Sequence, residues 1–230
     1  MGLLERFWTP FFGVPRGPLG WVGARMMASM KGKFFGSMAA ELDLQPDDDL
    51  LDVGCGSAKF FSDHATDVRY VAGIDASELQ LTMARERMAG RIAAGTAEIV
   101  LGDAAALPWE DDRFSVITSI DAMKFVPDPA RALAEMHRVL RPGGRAVITM
   151  GDDSKARIGS APSGTRSAWG IWCWSDADAQ QLVEEAGFVD VTVSVLPVLS
   201  KSQLVRATKP ASSGITGATV TTAPVEEVKA

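Results

Sequence analysis

The chain of 230 residues predicts an α/β fold built around a parallel sheet. Two observations carry this prediction. From Leu50 onward, short apolar segments typical of strands alternate with segments typical of helices. The first of these strands runs into a glycine turn, Asp52-Val-Gly54-Cys55-Gly56, and helix-compatible sequence follows. A strand, a tight glycine turn and a helix N-terminus in this order form a ligand-binding corner in many α/β proteins.

The acid before the glycine turn narrows the kind of ligand. Gly54 and Gly56 carry no Cβ, so the backbone can approach a ligand closely. A dinucleotide site would favour a third glycine at the position of Lys59, and Asp52 would repel a pyrophosphate. A carboxylate here suits a ligand with an amino group. The turn therefore argues against a dinucleotide-dependent oxidoreductase, which is kept as a rival interpretation.

Two further predicted strands lead into acids. The segment 71–75 ends in Asp75, whose carboxylate can accept hydrogen bonds from both hydroxyls of a ribose. The segment 99–104 ends in Gly-Asp103-Ala104, where the carboxylate can accept a hydrogen bond from the exocyclic amine of an adenine. Gly-Asp pairs also form ordinary turns.

The rest of the chain continues the alternation. The pattern predicts a helix from Ser77 to about Gly90, a strand over 114–119, a helix from Asp128-Pro129 to Leu140, a turn at 142–144 with a fifth strand after it, a loop over 151–170, a helix from Ser175 to 186–187, and strands over 189–195 and 202–207. From Lys209 the sequence has no apolar period and is predicted to be a disordered tail.

Taken together, the motifs resemble the class I S-adenosylmethionine-dependent methyltransferases, in their small-molecule branch. The resemblance rests on segments 52–56, 73–77, 102–104, 107–108 and 138–144, in the family's order over about residues 42–195. It implies a doubly wound, Rossmann-like sheet of seven strands, mostly parallel with an antiparallel last strand and with helices on both faces. It also implies S-adenosylmethionine as cofactor, S-adenosylhomocysteine as its product, and methyl transfer to a small acceptor.

The resemblance also implies cofactor contacts, residue by residue. Asp52 would lie near the methionine amino group, Asp75 on the ribose and Asp103 beside the adenine. The cofactor-binding set so predicted is Asp52, Gly54, Cys55, Gly56, Asp75, Ala76, Gln80, Asp103, Ala104, Ser119 and Ile120. Gln80 departs from the family, in which a methionine often stands at this position.

No catalytic residue is identified with comparable support. Many relatives carry a histidine at the position of Phe125, so a histidine-based mechanism is not indicated. Asp121 is the candidate that the segment after the fourth strand offers, either as a group that orients the acceptor, as a weak base, or as a cap or loop residue. His64 and His137 are interpreted as packing or surface residues. A catalytically silent protein that binds S-adenosylmethionine as a regulatory or scaffold subunit is therefore an alternative.

Two apolar segments are candidates for the acceptor side. Residues 1–44 form an N-terminal unit, interpreted as a helical segment packed on the main domain, as a lid over an acceptor pocket or as a peripheral membrane contact. Its apolar stripe repeats every four residues, at Val22, Met26, Met30, Phe34, Met38 and Leu42. Three tryptophans, Trp169, Trp172 and Trp174, suit either an apolar wall for an aromatic or isoprenoid acceptor or simple core packing.

Composition sets further bounds. The net charge of −6 argues against nucleic acid as a partner. Two cysteines without metal-ligand spacing argue against a metal site and a disulfide framework, and favour the cytoplasm. No apolar run reaches transmembrane length. We expect a methyltransferase domain over 45–208, the tail over 209–230, a small-molecule acceptor as partner, and a monomer or homodimer.

Overall fold

The computed structural model describes residues 32–151, 163–167, 170–195 and 203–212. The helices in these ranges are α1 (Gly32–Leu42), α2 (Lys59–His64), α3 (Glu78–Arg87), α4 (Ala89–Ala93), α5 (Pro129–Val139) and α6 (Asp176–Glu185), with a 3-10 helix at Met123–Phe125. The strands are β1 (Asp49–Val53), β2 (Tyr70–Asp75), β3 (Ala97–Leu101), β4 (Phe114–Ser119), β5 (Leu140–Met150), β6 (Thr165–Arg166), β7 (Trp172–Cys173), β8 (Val189–Val195) and β9 (Gln203–Thr208).

Seven strands form one sheet in the order β3-β2-β1-β4-β5-β9-β8. The first five pair in parallel. The last strand, β9, lies between β5 and β8 and is antiparallel to both. The predicted seven-stranded, mostly parallel sheet with an antiparallel last strand is thus confirmed.

The order of the strands places a switch point between β1 and β4. The chain builds β1, β2 and β3 in one direction and then returns to the other side of β1 for β4 and β5. Ligands of open α/β sheets bind in the crevice outside the carboxyl ends of the strands at such a point. The glycine turn that follows β1 lies there.

The central strands are apolar runs because both of their faces are covered. All five residues of β1 are buried. One apolar core packs α5 and α6 against the sheet, and a second packs α1, α2 and α3 against the opposite face. Parallel sheets are stable in this sandwiched position, which explains the continuous apolar runs of the sequence.

Three helices begin at the side chains that the sequence predicts as caps. The Ser77 hydroxyl accepts a hydrogen bond from the Gln80 amide at 3.4 Å, and the Ser175 hydroxyl accepts one from the Asp178 amide at 3.1 Å. Asp128 caps α5, with Pro129 in the first turn. Each cap satisfies an amide that the first helical turn leaves without an intrahelical acceptor.

Several boundaries differ from the predicted ones. The helix expected to reach Gly90 ends at Arg87, and α4 continues it after a break at Met88. The third strand ends at Leu101, before the predicted Gly-Asp-Ala end, and the Gly102 amide makes one more hydrogen bond to β2, at the Asp75 carbonyl at 3.1 Å. The turn at 142–144 lies inside the bounds of β5, since Leu140 already pairs with β4. Within the predicted loop 151–170, β6 pairs with β7.

The described part of the N-terminal unit is a helix packed on the sheet. Phe34, Met38 and Leu42 are buried against the second core, as their four-residue spacing predicts. Arg145 and Arg206 fix the end of α1, where Arg145 donates to the Leu42 carbonyl at 2.7 Å and Arg206 donates to Glu41 at 2.8 Å. The earlier stripe residues lie outside the described residues, as do Trp169 and the tail beyond residue 212. No described helix is long and apolar enough to cross a membrane.

An ion-pair cluster holds the amino end of β1. Asp49 is 4% exposed and pairs with Arg69, Arg113 and Arg141. Burial by itself would raise the pKa of Asp49, but hydrogen bonds from Arg69 and Arg141 and the charge of Arg113 lower it below 3.8. This cluster lies at the end of the sheet opposite to the glycine turn, so it acts on the stability of the fold.

Candidate functional site

The glycine turn folds over the carboxyl end of β2. The Gly54 and Cys55 amides both donate to the Ile74 carbonyl, at 2.8 and 3.1 Å. Gly54 and Gly56 have φ of 85° and 54°, a region that residues with a side chain seldom adopt. Ala58 also has a positive φ, of 55°, and precedes the first residue of α2. The turn is therefore a built loop held by β2 rather than a simple connection.

Asp75 fastens this loop at the end of β2. One oxygen of its carboxylate accepts from the Gly56 amide and the other from the Ser77 amide, both at 2.9 Å. Burial raises the pKa of Asp75, against the opposing effect of these backbone hydrogen bonds. The Ala76 amide also hydrogen-bonds this carboxylate, so about one of its four lone-pair positions remains for a ligand. This acceptor chemistry fits a hydroxyl of a ribose.

Cys55 lies between the two acids that flank the turn. Burial raises the pKa of its thiol well above 9.0, and the charges of Asp75 and Asp52 raise it further. A Cβ at Gly73 would come within 2.7 Å of the Cys55 sulfur, so the small residue on β2 makes room for the cysteine. Asp52 is 2% exposed and lies under the turn. The thiol packs against β2 and stays protonated, and a contact of Cys55 with the cofactor stays a prediction.

The segment after β4 closes the other side of the crevice. Ser119 is fully buried, and its hydroxyl donates to the Val53 carbonyl at 2.7 Å, which ties the ends of β4 and β1 together. Ile120 is buried in the second core. A methyl group at Gly54 would overlap the Ala122 side chain, so the glycine turn and this segment are in contact. The glycine at 54 is thus required by its neighbour as well as by its own backbone.

The remaining predicted cofactor positions lie along the same sheet edge. Gln80 is 9% exposed, and its side-chain oxygen would lie 3.8 Å from a Cβ at Gly56. Ala76 and Asp103 are exposed and Ala104 is half-buried. One Asp103 oxygen accepts from the Ala105 amide at 2.9 Å, which is the ordinary turn that the sequence left open. Its carboxylate still offers lone pairs to a ligand.

Asp121, the predicted catalytic candidate, has a specific local geometry. Its φ is 61°, and its amide donates to the Thr149 hydroxyl at 2.6 Å. Its carboxylate forms an ion pair with Lys124, and both side chains are about four-fifths buried, at 21% and 23% exposure. The Lys124 Nζ also lies 5.4 Å from the centre of the Phe125 ring. The structure therefore brings a carboxylate, an ammonium and an aromatic ring together after β4.

A tryptophan pair lies next to this segment. Trp172 and Trp174 stack with ring centres 5.8 Å apart, and the Trp172 indole donates to the Val126 carbonyl at 2.8 Å. They line a groove of about 590 Å³ together with the start of α5 and the side of α6. Trp174 is 3% exposed and belongs to the first core, whereas Trp172 is half-buried. Core packing is thus confirmed for Trp174, and a role of the tryptophans in binding an acceptor stays a prediction.

The two histidines lie away from the glycine turn's open side. His64 ends α2 and packs against Phe60, with ring centres 5.8 Å apart. His137 on α5 packs edge-on against Phe188 at 5.1 Å. Burial lowers the pKa of His137, and the charge of Lys209 lowers it further. Among the described residues, no group of three or more histidines, cysteines or acids is placed to hold a metal ion.

Three contributors to the site escaped the sequence reasoning. Arg87 donates to the Ser57 carbonyl and so braces the glycine turn from α3. Ala122 packs on Gly54, and Thr149 fixes the backbone of Asp121. Arg87 and Thr149 act from 28 or more residues away along the chain. No local pattern carries such a signal, because the contacts exist only once the sheet has formed.

Comparisons with known proteins identify the domain. Residues 51–148 match the family described as methyltransferase domain. The chain is 34% identical over 125 residues to a demethylmenaquinone methyltransferase of Symbiobacterium thermophilum, covering 53% of this chain and 50% of that protein. The chain thus spans about half the length of this curated relative.

Solved structures agree on the fold. A Haemonchus contortus phosphoethanolamine N-methyltransferase in complex with S-adenosyl-L-methionine aligns with a TM-score of 0.69 at 16% identity, over 90% of this chain and 60% of that one. The [4+2]-cyclase SpnF aligns with a TM-score of 0.63 at 20% identity, over 85% of each chain. At these identities the likeness is one of fold, and the fold hosts more than one chemistry.

The family match covers the glycine turn, the strands β2 and β3, and the segment after β4. These elements meet at the switch point of the sheet. S-adenosylmethionine is the cofactor of this family. Residues 51–148 of the chain thus match a methyltransferase domain, and the fold is shared with a methyltransferase that binds S-adenosyl-L-methionine.

Proposed function

We propose that this protein transfers a methyl group from S-adenosylmethionine to a small apolar or aromatic acceptor, such as a phenolic, quinone-like, lipid or natural-product molecule. The observation that carries the proposal is the pairing of the Asp75 carboxylate with the Gly56 amide at the switch point of the sheet. It puts a ribose acceptor and a close-approach loop in one crevice. The named relative with a quinone substrate supports an aromatic acceptor.

The predicted residues form three groups, and each group binds a different part of the cofactor. Asp75, Ala76 and Gln80 hold the ribose side, and Asp103 with Ala104 holds the adenine. The glycine turn, with Asp52 beneath it, receives the methionine end. Asp52 is buried, so it acts on the cofactor ammonium through an ordered water or through the field that it places behind the turn. Ser119 and Ile120 set the floor on which the methyl donor rests.

When bound, the cofactor supplies an electrophilic methyl group on a sulfonium. What the chain has to supply is position, because donor and acceptor react once they are held close and in line. The contact of Ala122 with Gly54 fixes the spacing of the two walls of the crevice. The groove beside Trp172 offers a small aromatic molecule the rings of two tryptophans, and three acids, Asp128, Asp178 and Glu185, also line it.

The test has a binding part and a transfer part. Titration calorimetry is expected to give binding of S-adenosylhomocysteine and none of NAD, which would separate the proposal from the oxidoreductase. Labelled S-adenosylmethionine with fractionated cell extract should then yield a methylated small molecule, identified by mass spectrometry. Binding of NAD, or no binding of S-adenosylhomocysteine, would contradict the proposal.

The second candidate is a protein that binds the cofactor without transferring a methyl group. It is favoured by Phe125, at the position where many relatives carry histidine. Cofactor binding without transfer in any fraction would decide for it. A cytoplasmic location and a monomeric or homodimeric state stay predictions, which fractionation and light scattering can check.

A further inference from the structure

The carboxyl end of β4 carries a positively charged group that the cofactor does not need. The Lys124 side chain is 23% exposed and is paired with Asp121. An ammonium has three N–H donors, and one carboxylate oxygen occupies only one of them. Lys124 can therefore bind a second anionic oxygen while it keeps Asp121 as its counter-ion.

The segment that carries this ammonium touches both the glycine turn and the tryptophan pair. At one end, Ala122 touches Gly54 of the glycine turn. At the other, the Val126 carbonyl accepts from the Trp172 indole at 2.8 Å. Lys124 lies between these two contacts along the chain.

The same segment offers a ring surface for an aromatic molecule. The Phe125 ring is half-buried and lies 5.4 Å from the Lys124 Nζ. A ring and an adjacent ammonium together suit an aromatic anion, whose ring can pack on the first and whose oxygen can accept a hydrogen bond from the second. A neutral aliphatic alcohol would use neither feature.

The acid–base groups near the segment argue in the same direction. The Asp121 carboxylate is engaged by Lys124 and is poorly placed to remove a proton. His64 and His137 pack against Phe60 and Phe188 on other elements. With these groups, an acceptor that arrives already ionised is favoured, because it requires no general base.

We infer that Lys124 binds the oxyanion of an ionised aromatic acceptor, a phenolate or aromatic enolate, and that Asp121 positions the ammonium for this task. The inference rests on the proposed function and names the acceptor class for the same site. The anion supplies the electron pair of the new bond to the methyl carbon, while the pair of the broken carbon–sulfur bond stays on sulfur. The sulfonium thereby becomes a neutral thioether, and no proton is released.

Binding of 4-nitrophenolate tests this without turnover. The protein is saturated with S-adenosylhomocysteine at a pH at which 4-nitrophenol is ionised, and its visible absorbance is followed during titration. We expect Lys124→Met to weaken 4-nitrophenolate binding by roughly tenfold or more, since a charge-assisted hydrogen bond is lost. Lys124→Arg should restore most of the binding. The neutral ether 4-nitroanisole should bind the wild type and Lys124→Met equally.

Lys209→Met is the matched control. Lys209 is also partly buried, at 15% exposure, and is paired with an aspartate, Asp112. It follows β9 at the opposite end of the sheet and should leave binding of both probes unchanged. Asp121→Asn should weaken 4-nitrophenolate binding less than Lys124→Met does, because the ammonium is retained but less well positioned.

Two results would overturn the inference while the proposed function stands. One is equal binding of 4-nitrophenolate by the wild type and by a Lys124→Met variant that still binds S-adenosylhomocysteine. The other is a wild type that binds S-adenosylhomocysteine but not 4-nitrophenolate. Absent binding of S-adenosylhomocysteine itself would instead refute the proposed function, so the two failures are distinguishable.

Discussion

Replacing Asp75 by alanine should weaken cofactor binding, and the hydrogen bonds of Asp75 give the expected loss of affinity. The carboxylate already accepts the Gly56 and Ser77 amides, and a ribose hydroxyl would add one donor. A hydrogen bond to a charged group contributes about 1.5–3 kcal/mol. Asp75 is half-buried, so water can replace part of what is lost. We therefore count one bond, which corresponds to a loss of affinity of roughly tenfold to 150-fold.

The assay is titration calorimetry with S-adenosylhomocysteine. Asp75→Asn keeps the size of the side chain and should give a smaller loss, since its carbonyl still accepts one hydrogen bond. Asp111→Ala is the control, because that carboxylate is 73% exposed and pairs with Arg138 far from the glycine turn. Thermal unfolding shows whether each variant is folded. Unchanged affinity in a folded Asp75→Ala protein would refute the assignment of Asp75 to the ribose.

The pH dependence gives a second, independent readout. Because burial raises the pKa of Asp75 above 3.8, the group is protonated at a higher pH than an ordinary aspartate. A protonated carboxyl loses acceptor capacity, so wild-type affinity should fall as the pH drops toward this raised pKa. The Asp75→Ala variant should lack that step. A wild-type profile that matches the variant would show that another group governs binding.

Three further predictions concern the loop and the fold. Gly54→Ala should destabilise the protein by about 2–4 kcal/mol and weaken S-adenosylhomocysteine binding, because it adds strain at φ 85° to an overlap with Ala122. Gly95→Ala, at φ 70° with open space around it, should cost only about 1–2 kcal/mol, and equal losses in urea unfolding would contradict the packing argument. Asp49→Asn should lower the free energy of unfolding by about 2 kcal/mol at neutral pH. This loss is smaller than that expected for breaking a fully buried ion pair, because the arginines that pair with Asp49 are partly exposed. The folded-state pKa of Asp49 is depressed, so its contribution to stability is fully present above pH 3.8 and is lost as the pH falls through the lower folded pKa. A difference in unfolding free energy between wild type and variant that persisted at low pH would contradict this role of the Asp49 charge. The pKa of His137 is also depressed, so stability should decline as the pH falls below 6.5, and His137→Gln should remove that decline in thermal unfolding scans.

Much of the fold was readable from local patterns. The alternation of apolar strands and helices, the caps at Ser77 and Ser175 and the bounds of β4 and β8 depend on neighbours within a few residues. Boundaries set by distant contacts were misplaced. The break in the helix after Arg87 and the early start of β5 depend on packing and pairing with other strands. Such contacts have no signature in a short window of sequence.

The candidate site divides in the same way. The sequence by itself predicted that acids would meet at one edge of the sheet. The acids stand at the ends of predicted parallel strands, and parallel strands bring their carboxyl ends to the same edge. The sequence thereby predicted a methyltransferase domain, which residues 51–148 match. Only the tertiary structure decided that Ala122 meets Gly54, that Asp121 is paired with Lys124, and that Trp172 faces a groove while Trp174 is in the core. These facts come from segments that are distant along the chain or that turn at positive φ, and their geometry is fixed only when the sheet is assembled.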